Sequence, residues 1–175
     1  EQQYPYLANV KSLLAHATNQ NIPVLGICLG GQLLASALGG VVETAPEIEI
    51  GTTEFMVTED AQGDHLFGDL VGQTLEAAQW HQDYISHLPA GAVVLATNEQ
   101  APVQAFRFGA SAYGLQFHPE VDEQGFASWF IPGDEVVAKT DKSKSELVEE
   151  VQQAMPTLIQ TWQPIVRKWN DLLSC

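Results

Sequence analysis

The stretch PVLGICLGGQLLASALGG, residues 23–40, carries the clearest structural pattern in the chain. Residues 23–27 form a short, continuously apolar run, which is typical of a strand buried on both faces of a parallel sheet. Cys28 follows this run, the pair Gly30-Gly31 breaks the strand, and residues 32–38 predict a helix closed by a second glycine pair. A strand, a tight turn and a helix in so short a stretch indicate an α/β fold.

Hydrophobic periodicity predicts the elements on both sides of this unit. A period of 3.6 over residues 6–19 predicts a helix with one apolar face. The middle of the chain is rich in short apolar and β-branched runs, and Gly109-Ala110-Ser111 indicates a hairpin turn. Extended segments are predicted at residues 48–58, 75–80, 92–97, 103–108 and 112–117.

The chain changes character after His118. Residues 131–133 predict a loop, and residues 143–154 and 157–173 predict two helices. The second helix carries an apolar stripe, which we interpret as a packing face: Leu158, Trp162, Ile165, Val166, Trp169 and Leu173.

Composition excludes several classes of function. The 7 Lys and Arg residues against 22 Asp and Glu residues give a formal net charge of −15, and such a surface repels nucleic acid. No apolar run approaches the ~20 residues of a membrane span, so we expect no membrane association. Only Cys28 and Cys175 could form a disulfide, which favours a reducing, cytoplasmic setting. The five histidines show no metal-ligand spacing, so no metal site is expected.

Cys28 has two interpretations. An isolated free cysteine is most often a small buried hydrophobic residue. Cys28, however, stands in Gly26-Ile27-Cys28-Leu29-Gly30, a pattern like the Gly-x-Ser-x-Gly elbow that exposes a nucleophile at a strand-to-helix turn. Small residues at 26 and 30 would let the neighbouring backbone approach, and the helix N-terminus would favour a thiolate. The backbone N–H of Leu29 would then face a developing oxyanion.

A base for this nucleophile is found far downstream, in Phe117-His118-Pro119-Glu120 at the end of a predicted strand. Glu120 could orient the imidazole of His118 through one ring nitrogen and leave the other to face Cys28. Taken singly, His118 could be an ordinary strand-end histidine and Glu120 a solvated loop carboxylate. Together with a cysteine elbow they predict a Cys-His-Glu triad.

Three segments in this order, PVLGICLGGQLLA, WHQDYISHLPAGA and AYGLQFHPEV, closely resemble the class I (triad) glutamine amidotransferase domain. The nearest type is the stand-alone proteins similar to the amidotransferase domain of GMP synthase. The resemblance covers residues 4–121. It implies a flavodoxin-like three-layer α/β sandwich with a mostly parallel sheet, and hydrolysis of the glutamine side-chain amide to glutamate and ammonia without a cofactor.

Position by position, the resemblance makes Cys28 the nucleophile, His118 the acid and base, and Glu120 the orienting carboxylate. Leu29 becomes one oxyanion donor, and Gln32 would contact the amino-acid end of the substrate. The segment Trp80-His81-Gln82-Asp83 resembles a turn whose backbone touches bound glutamine. For His81 and Asp83, a hydrogen-bonded turn without a site role remains an equal interpretation.

The resemblance also divides the chain. Residues 1–121 would form the amidotransferase-like domain, and residues 122–175 a helical extension packed on it. The family has earlier strands and a Gly-Gly-Pro-like loop that completes the oxyanion hole, and nothing before Pro23 supplies this loop. We therefore expect that N-terminal strands are missing from this chain. No synthetase domain follows Val121, so the ammonia acceptor, if there is one, would bind elsewhere or be another protein such as a synthase partner.

Two alternatives remain open from the sequence. The same chemistry would suit a γ-glutamyl hydrolase or peptidase, because both cleave a bond to the γ-carbonyl of a glutamyl group. The domain could also be a catalytically silent binding or regulatory module, which the missing oxyanion segment favours and the complete set of triad residue types opposes.

Overall fold

The computed structural model describes residues 4–131 and 137–173, and a 6-stranded sheet organises this part of the chain. The strands are β1 (Val24–Ile27), β2 (Val41–Val57), β3 (Thr74–His87), β4 (Ala92–Thr97), β5 (Ala105–Phe108) and β6 (Ala112–Leu115). Their order in the sheet is β1-β6-β5-β4-β2-β3. The helices are α1 (Tyr6–Asn19), α2 (Leu29–Ala37), α3 (Glu123–Ser128) and α4 (Lys144–Leu172), and single 3₁₀ turns occur at Glu59–Ala61, Gly68–Leu70 and Val137–Lys139.

The sheet is mixed, which corrects the expectation of a mostly parallel one. Among the described strands, β1 and β6 form the one parallel pair, with Val24 opposite Ala112 and Ile27 opposite Leu115. All other neighbouring strands are antiparallel. Parallel pairing needs a long crossover connection, whereas short turns such as the one through Gly109, with φ 62°, join antiparallel neighbours. The predicted hairpin between β5 and β6 is confirmed.

Helices cover both faces of the sheet, so the predicted three-layer α/β architecture is confirmed. On one face, Leu158, Trp162 and Ile165 of α4 pack against a core that contains Phe55 and Phe117. On the other face, α1 and α2 pack against the sheet through a separate apolar cluster of Val24, Leu34, Ala35, Ile85, Val103, Phe106 and Ala112. This arrangement buries β1 and β6 from both sides, as the apolar sequence of β1 predicts.

The prediction of two C-terminal helices is wrong, because α4 runs without a break through Pro156 and Pro164. Both prolines lie on the exposed side of the helix, where a lost backbone hydrogen bond can be replaced by water. A capping box at Ser143 and Glu146 stabilises the N-terminus of α4. The buried stripe that includes Leu158 compensates for the helix-breaking residues.

Several predicted boundaries also change. Residues 80–83, predicted as a turn, lie inside the 14-residue strand β3, which pairs with the 17-residue strand β2 along most of its length. Of the predicted loop at residues 131–133, Pro132 and Gly133 lie outside the described residues. Within the described ranges, no helix is both long and apolar enough to span a membrane.

Candidate active site

Cys28 occupies a strained position between β1 and α2. Its backbone has φ 48° and ψ −109°, a conformation that residues with a side chain rarely adopt. Two hydrogen bonds hold it there: the Cys28 N–H donates to the Leu115 carbonyl at 2.8 Å, and the Gln32 N–H donates to the Cys28 carbonyl at 3.0 Å. Leu29 begins α2, and its backbone N–H has no acceptor within the helix.

Two glycines allow the close approach of α2 to the sheet, and the second of them is not the one that the sequence predicted. A Cβ at Gly26 would lie 2.5 Å from the backbone of Gly30, so position 26 requires glycine, as predicted. A Cβ at Gly30 would meet nothing within 4 Å, whereas a Cβ at Gly31 would lie 2.8 Å from the Leu115 carbonyl oxygen. The second glycine needed for packing is therefore Gly31 and not Gly30.

These two neighbouring glycines form a matched pair for a stability test. We expect Gly30→Ala to stabilise the protein by about 0.5–1 kcal/mol, because alanine favours a helix over glycine. Gly31→Ala should destabilise it by about 1–3 kcal/mol, because the added methyl group overpacks the contact with β6. Urea unfolding followed by tryptophan fluorescence measures both. Stabilisation by Gly31→Ala would contradict the close packing of α2 on Leu115.

His118 and Glu120 form a hydrogen-bonded pair at the end of the β6 segment. The Nδ1 atom of His118 lies 2.7 Å from Oε1 of Glu120. The His118 N–H donates to the Ala78 carbonyl at 2.8 Å, which ties this segment to β3. The ring of Trp129 covers the imidazole, with the centroids 4.5 Å apart. The side chain of His118 is only 13% exposed, against 47% for Glu120.

The surroundings of His118 favour its charged form. Burial lowers the pKa of His118, but hydrogen bonds and negative charge from Cys28 and Glu120 outweigh burial and raise the pKa to about 9. Since Glu120 occupies Nδ1, the Nε2 atom is the one left for Cys28. The structure thus brings Cys28, His118 and Glu120 together at one place.

The raised pKa of His118 predicts how stability depends on pH. Its folded value of about 9 lies above the unfolded value of about 6.5, so the stabilisation is complete below pH 6.5 and is lost as the pH rises towards 9. Urea unfolding of the wild type and of His118→Gln should therefore give free energies that converge between these pH values. Glu120→Gln should weaken the effect. A difference in unfolding free energy between the wild type and His118→Gln that grows with pH would contradict a charged imidazole in the folded protein.

Gln32 and Gln116 connect Cys28 to β3. The Gln32 Nε2 atom donates to the Asp83 carbonyl at 2.7 Å and to Gln116 Oε1 at 3.2 Å. The Gln116 Nε2 atom lies 3.8 Å from the Cys28 sulfur, and the Trp80 carbonyl lies at the same distance from that sulfur. Sequence reasoning missed Gln116. Its signal was a polar residue at the end of an apolar strand, two positions before His118 and hence on the same face.

The side chains of His81, Gln82 and Asp83 have partners within the protein. The Nδ1 atom of buried His81 lies 3.1 Å from the Asp83 carbonyl. Its Nε2 lies 3.1 Å from Glu49 Oε2 without the alignment of a hydrogen bond. Gln82 accepts a hydrogen bond from Lys139 at 2.9 Å, and Asp83 accepts one from the Thr44 hydroxyl at 2.9 Å. This segment therefore reaches Cys28 through backbone carbonyl groups.

Glu49 anchors a second polar cluster, which the sequence did not reveal. Its two carboxylate oxygens accept hydrogen bonds from Asn98 and Gln104, each at 2.8 Å. Gln104 in turn accepts a hydrogen bond from Gln79 at 2.9 Å. Glu49 stands opposite His81 in the pairing of β2 with β3. The cluster therefore supports the strand behind the candidate site.

A cleft of about 420 Å³ opens beside His118 and Glu120, on the side of α4. Leu158 and Trp162 contribute apolar side chains to its lining, and Arg167 also lines it. No cluster of three or more His, Cys, Asp or Glu side chains within residues 4–131 and 137–173 could hold a metal ion.

Comparison with known proteins identifies the family. The family model named glutamine amidotransferase class-I matches residues 3–130, well over half of the chain. The chain belongs to the class I glutamine amidotransferase family. The resemblance in the three quoted sequence segments is thereby confirmed, and Cys28, His118 and Glu120 all lie within the matched region.

Individual members of the amidotransferase family agree with this assignment. A glutamine-hydrolyzing GMP synthase of Clostridium perfringens is 40% identical over 122 residues, 69% of this chain and 23% of that protein. One subunit of the glutamine-hydrolyzing GMP synthase of Thermococcus kodakarensis is 36% identical over 114 residues, 65% of this chain and 58% of that polypeptide. The chain thus spans less than two thirds of the length of either relative.

Solved amidotransferase structures share the fold. A glutamine amidotransferase from Thermotoga maritima superposes with a TM-score of 0.83 at 28% identity, over 100% of this chain and 73% of that protein. A glutamine amidotransferase from Methylobacillus flagellatus gives the same TM-score and identity over 97% of this chain and 70% of that protein. These superpositions confirm the α/β fold for the described elements.

Proposed function

We propose that this protein hydrolyses the side-chain amide of glutamine to glutamate and ammonia, with Cys28 as nucleophile. The observation that carries the proposal is that Cys28 stands at a strained strand-to-helix elbow close to His118, whose Nδ1 lies 2.7 Å from Glu120 Oε1. A thiolate paired with an imidazolium is the reactive state of a cysteine nucleophile. Family membership supports glutamine as the source of the amide.

In the proposed reaction, the Cys28 thiolate attacks the amide carbon and forms a C–S bond. The backbone N–H of Leu29 stabilises the oxyanion at the N-terminus of α2. The imidazolium of His118 protonates the leaving nitrogen as the C–N bond breaks, and ammonia departs. Neutral His118 then takes a proton from water, which attacks the thioester and breaks the C–S bond. Glutamate leaves, and the thiolate–imidazolium pair is restored.

Glu120 would hold the tautomer and orientation of His118 through Nδ1 and stabilise the imidazolium. Gln32 has committed its amide nitrogen to Asp83 and Gln116, so Oε1 is the atom available to the substrate. A carbonyl oxygen accepts hydrogen bonds, and we therefore assign Gln32 to the α-ammonium group of glutamine. The backbone of residues 80–83 would line the pocket that binds glutamine.

The wider setting is also part of the proposal. The Thermococcus kodakarensis relative is named as one subunit of a synthase, which supports a separate synthase partner that receives the ammonia. Residues 1–121 would form the amidotransferase domain, and residues 122–175 the extension packed against it. A nucleophilic thiol must stay reduced, which favours the cytoplasm.

A substrate panel tests the proposal. Purified protein would be assayed with glutamine, a γ-glutamyl dipeptide and a γ-glutamyl amine, with kcat/KM measured from glutamate release. We expect glutamine to be the best substrate. A strong preference for either conjugate would assign the protein to the γ-glutamyl hydrolases. The absence of turnover with all three, also in the presence of a synthase partner, would favour a silent module.

A further inference from the structure

Gln116 presents an amide donor to the sulfur of Cys28. Its side chain is buried, with the residue only 1% exposed, so its N–H groups depend on partners within the protein. The Nε2 atom lies 3.8 Å from Cys28 Sγ. This contact is a hydrogen bond to sulfur. The sulfur of Cys28 therefore has the amide of Gln116 as a neighbour in addition to the imidazole of His118.

The backbone carbonyl of Asp83 determines which way the amide of Gln116 is turned. The Asp83 carbonyl can only accept, so the amide of Gln32 must turn its Nε2 towards it. The same Nε2 donates to Gln116 Oε1, and Gln116 must therefore turn its own Nε2 towards Cys28. The Asp83 carbonyl of β3 thus fixes the orientation of the Gln32 amide, and the Gln32 amide fixes that of the Gln116 amide, whose N–H points at the sulfur.

The neighbours of the sulfur discriminate between its two charge states. A thiol can donate to the Trp80 carbonyl, which lies 3.8 Å away, whereas a thiolate is repelled by that oxygen. An amide N–H has the opposite preference, because a hydrogen bond to a charged acceptor is stronger than one to a neutral acceptor. Without Gln116, the Trp80 carbonyl would oppose the thiolate, and only the imidazolium of His118 would favour it.

We propose that Gln116, oriented by Gln32 and the Asp83 carbonyl, holds the Cys28 sulfur as a thiolate for attack. This role rests on the proposed function of Cys28 and extends it to a residue two positions before His118. Gln116 contacts the reacting sulfur directly, and Gln32 acts on the sulfur through Gln116. Gln32 therefore has a positioning role in addition to its contact with substrate.

Alkylation of Cys28 tests this proposal without substrate. The rate of reaction with iodoacetamide would be followed by mass spectrometry of the Cys28 peptide from pH 5 to 9, with Cys175→Ser in every variant. Gln116→Met keeps the length of the side chain and removes the donor, and Gln116→Glu keeps its shape and replaces the donor by an acceptor. Gln79→Met is the matched control, because Gln79 is a buried glutamine of the separate Glu49 cluster.

We expect Gln116→Met to slow alkylation near neutral pH by about tenfold, the size of one hydrogen bond to a charged group. Gln116→Glu should slow it further, and Gln79→Met should match the wild type. Thermal unfolding would show which variants are folded; if Gln116→Met is not, Gln116→Glu decides. A folded Gln116 variant with the wild-type profile would overturn the role of Gln116. A wild-type Cys28 no faster than free cysteine would instead overturn the proposed nucleophile.

Discussion

Replacement of Cys28 by alanine is expected to lower kcat for glutamine hydrolysis by at least about 10⁴-fold. The proposed reaction passes through a thioester on this sulfur, and alanine offers no group that could form it. Release of ammonia and glutamate from glutamine measures the effect in the full chain.

The matched control for this variant is Cys175→Ser, which removes the other cysteine and should keep wild-type activity. Cys28→Ala should still fold, because the backbone hydrogen bonds of Cys28 to Leu115 and Gln32 do not depend on its side chain. Thermal unfolding checks this, and a modest loss of stability is expected because buried Gln116 loses its sulfur acceptor. Hydrolysis by Cys28→Ala at more than a small fraction of the wild-type rate would contradict the covalent mechanism.

Replacement of His118 by glutamine is expected to lower kcat by about 10²–10⁴-fold, the usual contribution of general acid–base catalysis. Glutamine can still hydrogen-bond but cannot deliver a proton to the leaving nitrogen. It also removes the positive charge next to Cys28, so alkylation of Cys28 near neutral pH should slow as well. Steady-state rates and alkylation rates would be measured on the same preparation.

Glu120→Gln provides the graded comparison for His118→Gln. Glu120 is half exposed and acts on the reaction only through His118, so its loss should cost less activity than the loss of His118. A His118→Gln variant that alkylates at the wild-type rate would contradict the thiolate–imidazolium pair. A Glu120→Gln variant that is less active than His118→Gln would contradict the proposal that Glu120 acts only through His118.

The sequence predicted the parts of the candidate site that depend on local pattern. The glycines around Cys28 indicated an elbow, and Phe117-His118-Pro119-Glu120 placed an imidazole and a carboxylate two positions apart. The contacts of Gln116 and Glu49 could not be predicted in the same way, because their partners are distant in sequence: Gln32 and Cys28 for Gln116, and Asn98 and Gln104 for Glu49. Their positions depend on tertiary packing and strand register, which no local pattern records.

The fold shows the same division between local and long-range information. The bounds of α1 and β4 follow from periodicity alone and agree with the structure. The orientation of the remaining strands depends on how they are connected, and the continuity of α4 through Pro156 depends on burial of its opposite face. In these features tertiary packing outweighed the local sequence preferences.

The single parallel pair between β1 and β6 has a consequence for how the protein folds and opens. Strands β4, β5 and β6 are close in sequence and can pair early, whereas Cys28 and Gln116 are 88 positions apart. Loss of the β1–β6 pairing would separate the nucleophile from His118 while the β4–β6 meander stays intact. Because the β1–β6 pairing is long-range in sequence, we expect amides of β1 to exchange with deuterium before those of β5, and catalytic competence to be lost before global unfolding.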